Sequence, residues 1–196
     1  INNNIYNRSN KWYYIKYYWI TMGVFMDILE KILELGCSIN KYDFKDDNDV
    51  IGIIVNKKDT DMFNDDGYAF LIDKNLNESD SKLVSAMLYK KLIESNNSLD
   101  MGKCLTIKRT NLKDITSVIE VLDLLIDDNS FRQVLNRYCY NLDKVCYYYE
   151  LRGISPLLVD LKYSVLNYEE SVNDMKNVIL FKKNNNFIKS KMISKE

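Results

Sequence analysis

The chain contains no histidine, the side chain that most often serves as a general base near neutral pH or as a zinc ligand. Ser-His-Asp and Cys-His catalytic sites are therefore excluded, together with the usual zinc hydrolase sites. No pair of its four cysteines has CxxC spacing; they are Cys37, Cys104, Cys139 and Cys146. We expect free, mostly buried thiols in a cytoplasmic protein.

The remaining groups that could do chemistry are carboxylates. Asp114, Glu120 and Asp123 fall on one predicted helix, and Glu94 ends the helix before it. Such a group could transfer protons or bind a cation, but acidic residues on an amphipathic helix usually form its solvated face, and we favour that interpretation. The acidic segment Asp59–Asp66 lacks the residue order of an EF-hand, so we predict a solvated turn there.

Two short apolar runs, Val50–Val55 and Gly67–Asp73, predict strands that pair as an antiparallel hairpin. A helix is predicted over Ser79–Glu94, capped by Ser79 or Ser81, and its apolar stripe has the spacing of one helix face. The stripe consists of Val84, Met87, Leu88 and Leu92. The other predicted elements are helices over Met26–Leu35, Thr110–Leu125, Phe131–Tyr138, Leu142–Leu151 and Pro156–Asn167, a polar connection over Asn40–Asp49 and an extended segment over Cys104–Ile107.

The chain has 196 residues, of which 46% are hydrophobic, and a net charge of −1. These values fit one globular domain, with no global attraction to nucleic acid or to a membrane surface.

The aromatic run Trp12–Ile20 contains a lysine, and the apolar segment that continues to Met26 is shorter than the ~20 residues of a spanning helix. We expect residues 1–21 to lie outside the domain, with a packing helix or a membrane-surface segment as alternatives. Residues 22–168 would form the domain and residues 169–196 a C-terminal extension.

The last two predicted helices, joined by a turn at Gly153, have the layout of a helix-turn-helix. A DNA-reading helix would present basic or amide side chains near its start. This helix instead begins with Pro156, continues with apolar residues and then has Asp160. We therefore expect the pair to pack within the domain, and we expect no nucleic-acid partner.

The order of the elements, together with five short segments, resembles the ImmA/IrrE family of metallopeptidases over about Met26–Asn167. The segments are Glu34–Ile39, Gly67–Asp73, Lys82–Ala86, Leu124–Phe131 and Gly153–Pro156. The resemblance implies a zincin-like α+β domain, mostly helical, with a small antiparallel sheet.

The most specific motif of that family, HExxH, is replaced in this chain. Its two histidines would fall on Met87 and Lys91, its catalytic glutamate on Leu88, and the third metal ligand near Asp114 or Thr116. A thioether suits soft metals, a lysine must lose its proton before it can bind a metal, and a leucine cannot act as a base. The resemblance therefore implies no catalytic residue, no metal site and no cofactor.

We expect a catalytically inactive homologue that acts as a regulatory or protein-binding module and is encoded by a phage or another mobile element. Its partner would be a protein regulator such as a repressor, and neither nucleic acid nor membrane is expected. A hydrolase with an unrecognised site and an unrelated helical host-interaction module remain as alternatives. The tyrosines of Tyr138–Tyr149 fit packing at the edge of the core, with a binding surface as the other interpretation.

Overall fold

The computed structural model describes residues 27–45, 49–95 and 104–193. The elements are α1 (Ile28–Glu34), β1 (Ser38–Tyr42), β2 (Val50–Asn56), β3 (Tyr68–Asp73), α2 (Glu78–Glu94), β4 (Leu105–Lys108), α3 (Ile115–Leu125), α4 (Asp128–Arg137), α5 (Leu142–Glu150) and α6 (Pro156–Ile193). Short 3-10 turns follow β2 and β4. The predicted class, α+β and mostly helical, is confirmed. The predicted extension over residues 1–21 lies outside the described residues.

The four strands form one sheet in the order β1-β3-β2-β4. The predicted hairpin is confirmed, because β2 and β3 pair antiparallel with Ile54 opposite Phe70. The prediction of an antiparallel sheet is wrong, because β1 pairs parallel with β3, with Ile39 also opposite Phe70. The predicted polar connection Asn40–Asp49 is wrong in its first residues, because β1 extends to Tyr42. As a polar, partly exposed edge strand, β1 lacks the alternation that marks a half-buried strand.

Helix α2 is buried almost all round over its central turns, from Lys82 to Leu88. This is expected of a helix covered on several sides rather than on one. It approaches the sheet most closely at Gly52 of β2, where a Cβ atom would lie 2.4 Å from Val84 Cγ1 and 3.1 Å from Leu88 Cδ1. Only a glycine permits this contact, which therefore fixes the distance between α2 and the sheet.

The N-terminus of α2 is capped by Asn77, whose side chain accepts a hydrogen bond from the backbone of Asp80 at 2.8 Å. The prediction that Ser79 or Ser81 caps this helix is wrong. The Ser79 hydroxyl accepts a hydrogen bond from the Ser155 backbone at 2.9 Å, and the Ser81 hydroxyl accepts one from the Lys41 ammonium at 2.6 Å. Both serines lie inside the first turn of the helix and contact other elements.

Helix α6 continues to Ile193, so the predicted end near Asn167 is wrong. In the part of α6 whose side chains are described, the buried residues are Leu158, Val159, Lys162 and Leu166. Within the described residues, no helix is long and apolar enough to cross a membrane.

The four cysteines are free, as predicted. The expectation that most of them are buried is wrong, because only Cys37 is fully buried, whereas Cys104 and Cys139 are exposed. Cys37 lies directly before β1, and burial raises the pKa of its thiol. It therefore behaves as a small apolar core residue.

We predict that Gly52→Ala lowers the free energy of unfolding by about 1–3 kcal/mol, because the added methyl group would overlap Val84, which is itself buried and short. Urea unfolding followed by circular dichroism measures the change. Adding Val84→Ala to the variant removes the overlapping methyl groups and should restore part of the loss beyond simple additivity. An unchanged midpoint for Gly52→Ala would show that α2 does not pack this tightly on β2.

Candidate functional site

The positions aligned with the two motif histidines lie on one side of α2, at Met87 and Lys91, facing β4 and α3. Both line a small cavity of about 90 Å³ between these elements. The other lining residues are Lys90, Glu94, Ile107, Asn111, Ser117, Glu120 and Val121. The structure thus gives the two positions a shared pocket, as one turn of helical spacing implies.

Leu88, at the position of the catalytic glutamate, is fully buried. Its methyl group packs against β2 beside Gly52 rather than into the cavity. Met87 is also a core residue, with 4% of its surface exposed. Two of the three motif positions on α2 therefore have a packing role.

Lys91 is half-buried, and its ammonium donates a hydrogen bond to the carbonyl oxygen of Thr106 at 3.0 Å. Thr106 belongs to β4, the edge strand next to β2. A backbone carbonyl at a sheet edge needs a donor, and the lysine supplies one. The side chain at the second histidine position therefore links α2 to the sheet.

The neighbouring Lys90 forms ion pairs with Glu120 of α3, at 2.5 Å, and with Glu94, at 3.6 Å. The hydrogen bond with Glu120 raises the pKa of Lys90, so this lysine stays protonated at neutral pH. The charges of Lys90 and Lys91 balance those of Glu94 and Glu120. The formal charges of the side chains at the cavity mouth therefore sum to zero.

Asp114 and Thr116, the positions aligned with the third ligand, are exposed and do not line the cavity. Asp114 caps α3 by accepting hydrogen bonds from the backbones of Thr116, at 3.2 Å, and Ser117, at 3.3 Å. The hydrogen bond from the Ser117 hydroxyl lowers the pKa of Asp114 most. Its carboxylate therefore serves the helix terminus.

Ser117 and Glu120 of α3 occupy the cavity wall instead. Glu120 is exposed, as expected for the solvated face of α3, and it also reaches the cavity. The sequence signal is the i, i+3, i+4 spacing, which places Ser117 and Glu120 on the same helix face as the apolar Val121. In the structure Val121 is buried, so this face is turned toward the interior.

The cavity combines a thioether, two ammonium groups and two carboxylates that both pair with Lys90. Such a set lacks the neutral nitrogen, thiolate or clustered carboxylate ligands that bind zinc. Across the residues that the structure describes, no group of three or more cysteines, aspartates or glutamates could hold a metal ion. The cavity can accept a hydrogen-bonding or charged group. The residues that line it hold α2, β4 and α3 together.

A second polar site surrounds Lys82 in the first half of α2. Its ammonium donates to Asp27 at 2.7 Å and to the carbonyl of Arg152 at 2.6 Å, and it lies 3.6 Å from Glu78. Only 10% of the lysine side chain is exposed. The burial of the ammonium is compensated by these acceptors, so Lys82 joins α1, α2 and the α5–α6 turn.

The α5–α6 turn contacts the first turn of α2 directly. Gly153 has φ +67°, and a Cβ atom there would lie 2.1 Å from the Glu78 carboxylate oxygen. The left-handed backbone favours glycine, and a larger residue would also displace the flexible Glu78 side chain. A cavity of about 240 Å³ lies beside this junction, between the Lys82 cluster and apolar residues of α1, α3 and the turn. The Gly153–Pro156 segment therefore has a definite packing role against α2.

Comparisons with protein-family models, curated proteins and solved structures found no match. The likeness to the ImmA/IrrE family thus depends on the quoted segments and stays a prediction.

We predict that Lys82→Met lowers the free energy of unfolding by about 2 kcal/mol, because it leaves Asp27 and the Arg152 carbonyl without their ammonium. Thermal unfolding measures the loss. Since Asp27 is one-third exposed, the effect should be smaller than for a fully buried pair.

The matched control is Lys74→Met, which removes a half-exposed lysine 2.7 Å from Asp43 and should change the stability far less than Lys82→Met does. Adding Asp27→Asn to Lys82→Met should recover part of the loss, because asparagine can still cap α1 without leaving a charge unpaired. Equal losses for the two lysine variants would contradict the proposed role of Lys82.

Proposed function

We propose that the chain is a catalytically inactive, zincin-like relative of the ImmA/IrrE metallopeptidases that acts as a regulatory or protein-binding module. The proposed partner is a protein regulator such as a repressor, encoded by the same phage or mobile element and bound in the cytoplasm. The observation that carries the proposal is the hydrogen bond from Lys91 to Thr106. It commits the side chain to a structural hydrogen bond where the family pattern expects a metal ligand.

The surroundings of Lys91 support this proposal. A protonated lysine repels a metal ion and offers it no lone pair, and the nearby Lys90 is held in its charged form by Glu120. Deprotonating Lys91 for metal binding would also remove a hydrogen-bond donor from the Thr106 carbonyl. The cavity is therefore better suited to holding α2, β4 and α3 together than to hydrolysis.

The position of Leu88 supports the same conclusion. A general base must reach a substrate or a water molecule in the site. Leu88 is fully buried and contacts β2 at Gly52, where a carboxylate would lose its hydration without gaining a partner. Retaining an apolar residue here keeps α2 packed on the sheet.

Exposed apolar side chains around the α5–α6 turn support a protein-binding role. Tyr147, Leu151 and Leu157 are 63%, 67% and 76% exposed. Tyr147 and Leu151 are four residues apart, on one face of α5 and its C-terminal cap. Neighbouring exposed aromatic and aliphatic groups are typical of surfaces that bind another protein. We call Tyr147, Leu151 and Leu157 the turn surface.

The hydrolase alternative would need another site, and the larger cavity beside Lys82 is the best place to seek one. Lys82 there already donates to Asp27 and to the carbonyl of Arg152, so its ammonium is used in packing.

The alternative of an unrelated host-interaction module shares the turn surface with the leading proposal. A metal site created at the motif positions distinguishes a metallopeptidase relative from such a module.

We predict that Met87→His with Lys91→His creates a zinc site, because it places two imidazoles one helical turn apart in a cavity that Glu120 also lines. Metal content after dialysis and competition with a chromophoric chelator measure the affinity. Adding Glu120→Gln should weaken zinc binding by removing the candidate third ligand. Leu88 is kept, because its replacement would disturb the core.

The matched control is Gln133→His with Arg137→His, an exposed pair with the same spacing on α4. It reports the affinity of any histidine pair on a helix. Tighter zinc binding by the α2 pair supports the aligned register. Equal affinity of the two pairs would count against both the register and the family likeness.

We predict that Tyr147→Ala with Leu151→Ala weakens binding to the repressor encoded beside this chain by about tenfold or more, because aromatic and aliphatic contacts dominate such interfaces. Isothermal titration calorimetry measures the affinity. Leu33→Ala with Met62→Ala, which alters two apolar residues of similar exposure elsewhere, should leave it unchanged. Absence of binding by the unaltered chain, or equal losses for both pairs, would overturn the proposed surface.

A further inference from the structure

The cavity beside Lys82 is continuous with the turn surface, because Leu151 belongs to both. Its other apolar lining residues are Ile28, Leu125 and Ile154. The volume of about 240 Å³ is smaller than the ~300–1,000 Å³ of pockets that hold whole small-molecule ligands. The cavity therefore suits one large apolar side chain of a bound protein, and residues that dominate protein interfaces are commonly seated in such pockets.

Exposed carboxylates flank the turn surface on α5 and α6. Asp143 and Glu150 lie one helical turn before and after Tyr147, on the same side of α5. On α6, the carboxylate of Asp160 is 3.8 Å from the thiol of Cys146 on α5. Burial raises the pKa of this thiol, and the charges of all three carboxylates raise it further. The electrostatic field between the two helices is therefore negative.

The acidic surface continues onto α2, where Glu78 lines the cavity and exposes 70% of its side chain. Lys82, 3.6 Å from Glu78, is buried and uses its shorter hydrogen bonds elsewhere. The guanidinium of Arg152 lies 3.6 Å from the centre of the Tyr148 ring and donates to the Tyr148 carbonyl at 2.8 Å. Lys144 is exposed, but it faces four carboxylates, so the exposed charge of this region stays negative.

We propose that the turn surface and the adjoining cavity bind a basic amphipathic helix of the partner protein, with one large apolar side chain seated in the cavity. The inference rests on the proposed protein-binding function and adds the chemistry of the partner. Such a helix carries apolar residues every three to four positions, with lysine or arginine on both sides. The apolar residues match Tyr147 and Leu151, which are four residues apart, and the basic residues match the flanking carboxylates. An acidic partner would instead place like charges together.

Selection from a display library of random peptides tests this chemistry. The unaltered chain is the target, and the Tyr147→Ala, Leu151→Ala variant is used to remove peptides that bind elsewhere. We expect the retained peptides to be basic and to carry apolar residues at intervals of three and four. Retained peptides that are neutral or acidic, or the absence of any peptide that prefers the unaltered chain, would overturn the proposal.

One retained peptide, labelled and titrated by fluorescence anisotropy, tests the role of charge. Asp143→Asn with Glu150→Gln should weaken its binding by about fivefold, because exposed ion pairs each contribute modestly, and added salt should also weaken it. The matched control is Asp59→Asn with Asp61→Asn, which removes the same charge between β2 and β3 and should leave the affinity unchanged. Equal effects of the two variants would mean that the attraction is not local, contrary to the proposal.

Alanine replacement of each apolar residue of the peptide in turn tests the cavity. We expect one replacement to weaken binding by about tenfold or more and the others to have smaller effects, because one seated side chain should dominate the contact. Losses spread evenly over the apolar residues would contradict a side chain seated in the cavity.

Two results separate this inference from the proposed function. If the repressor encoded beside the chain does not bind but the basic peptides do, the inference holds and the proposed partner is wrong. If the repressor binds through the turn surface and neither salt nor the Asp143→Asn, Glu150→Gln variant weakens it, the proposed function holds and the inference is wrong.

Discussion

The close contact between α2 and the sheet at Gly52 determines where the other elements of the domain lie. Because no Cβ atom separates β2 from Val84 and Leu88, α2 packs directly on the strand and is buried over its central turns. Each remaining side of α2 then receives another element. Lys82 contacts α1 and the α5–α6 turn, Lys90 contacts α3, and Lys91 contacts β4.

If α2 derives from a metallopeptidase helix, as we propose, this arrangement explains how the helix lost its chemistry and kept its structural role. Under our proposal, the three motif positions now contribute packing or hydrogen bonds. Met87 and Leu88 belong to the core, and Lys91 satisfies a carbonyl at the sheet edge. Selection for stability alone would retain these residues, so the fold can persist as a platform for binding after hydrolysis is lost. The exposed turn surface is the region where we propose that such binding occurs.

Strong local patterns in the sequence predicted α2, the β2–β3 hairpin and the Gly153 turn. The parallel strand β1 could not be predicted, because a polar edge strand has no alternation and its partner is distant in sequence. Ile115 and Ile119 fit an apolar face of α3 but are 60% and 39% exposed, since the buried face contains Val121 instead. Tertiary contacts, not helical spacing, decide between such neighbouring faces.

The candidate site was less predictable than the fold. Helical spacing correctly brings Met87 and Lys91 to one cavity, but Asp114 and Thr116 fall outside it because Asp114 is used as a helix cap. The burial of Lys82 was also missed, since its acceptors, Asp27 and Arg152, come from segments far apart in sequence. Long polar side chains give little signal of burial when their partners come from elsewhere in the chain.

The most direct test is the zinc content of the unaltered chain, purified with excess zinc and then dialysed, measured together with its cleavage of candidate protein substrates. We expect far less than one zinc ion per chain and no cleavage that depends on metal, because Met87, Leu88 and Lys91 offer neither ligands nor a base. Stoichiometric zinc whose removal abolishes cleavage would show that the chain is an active metallopeptidase with a site other than the one described.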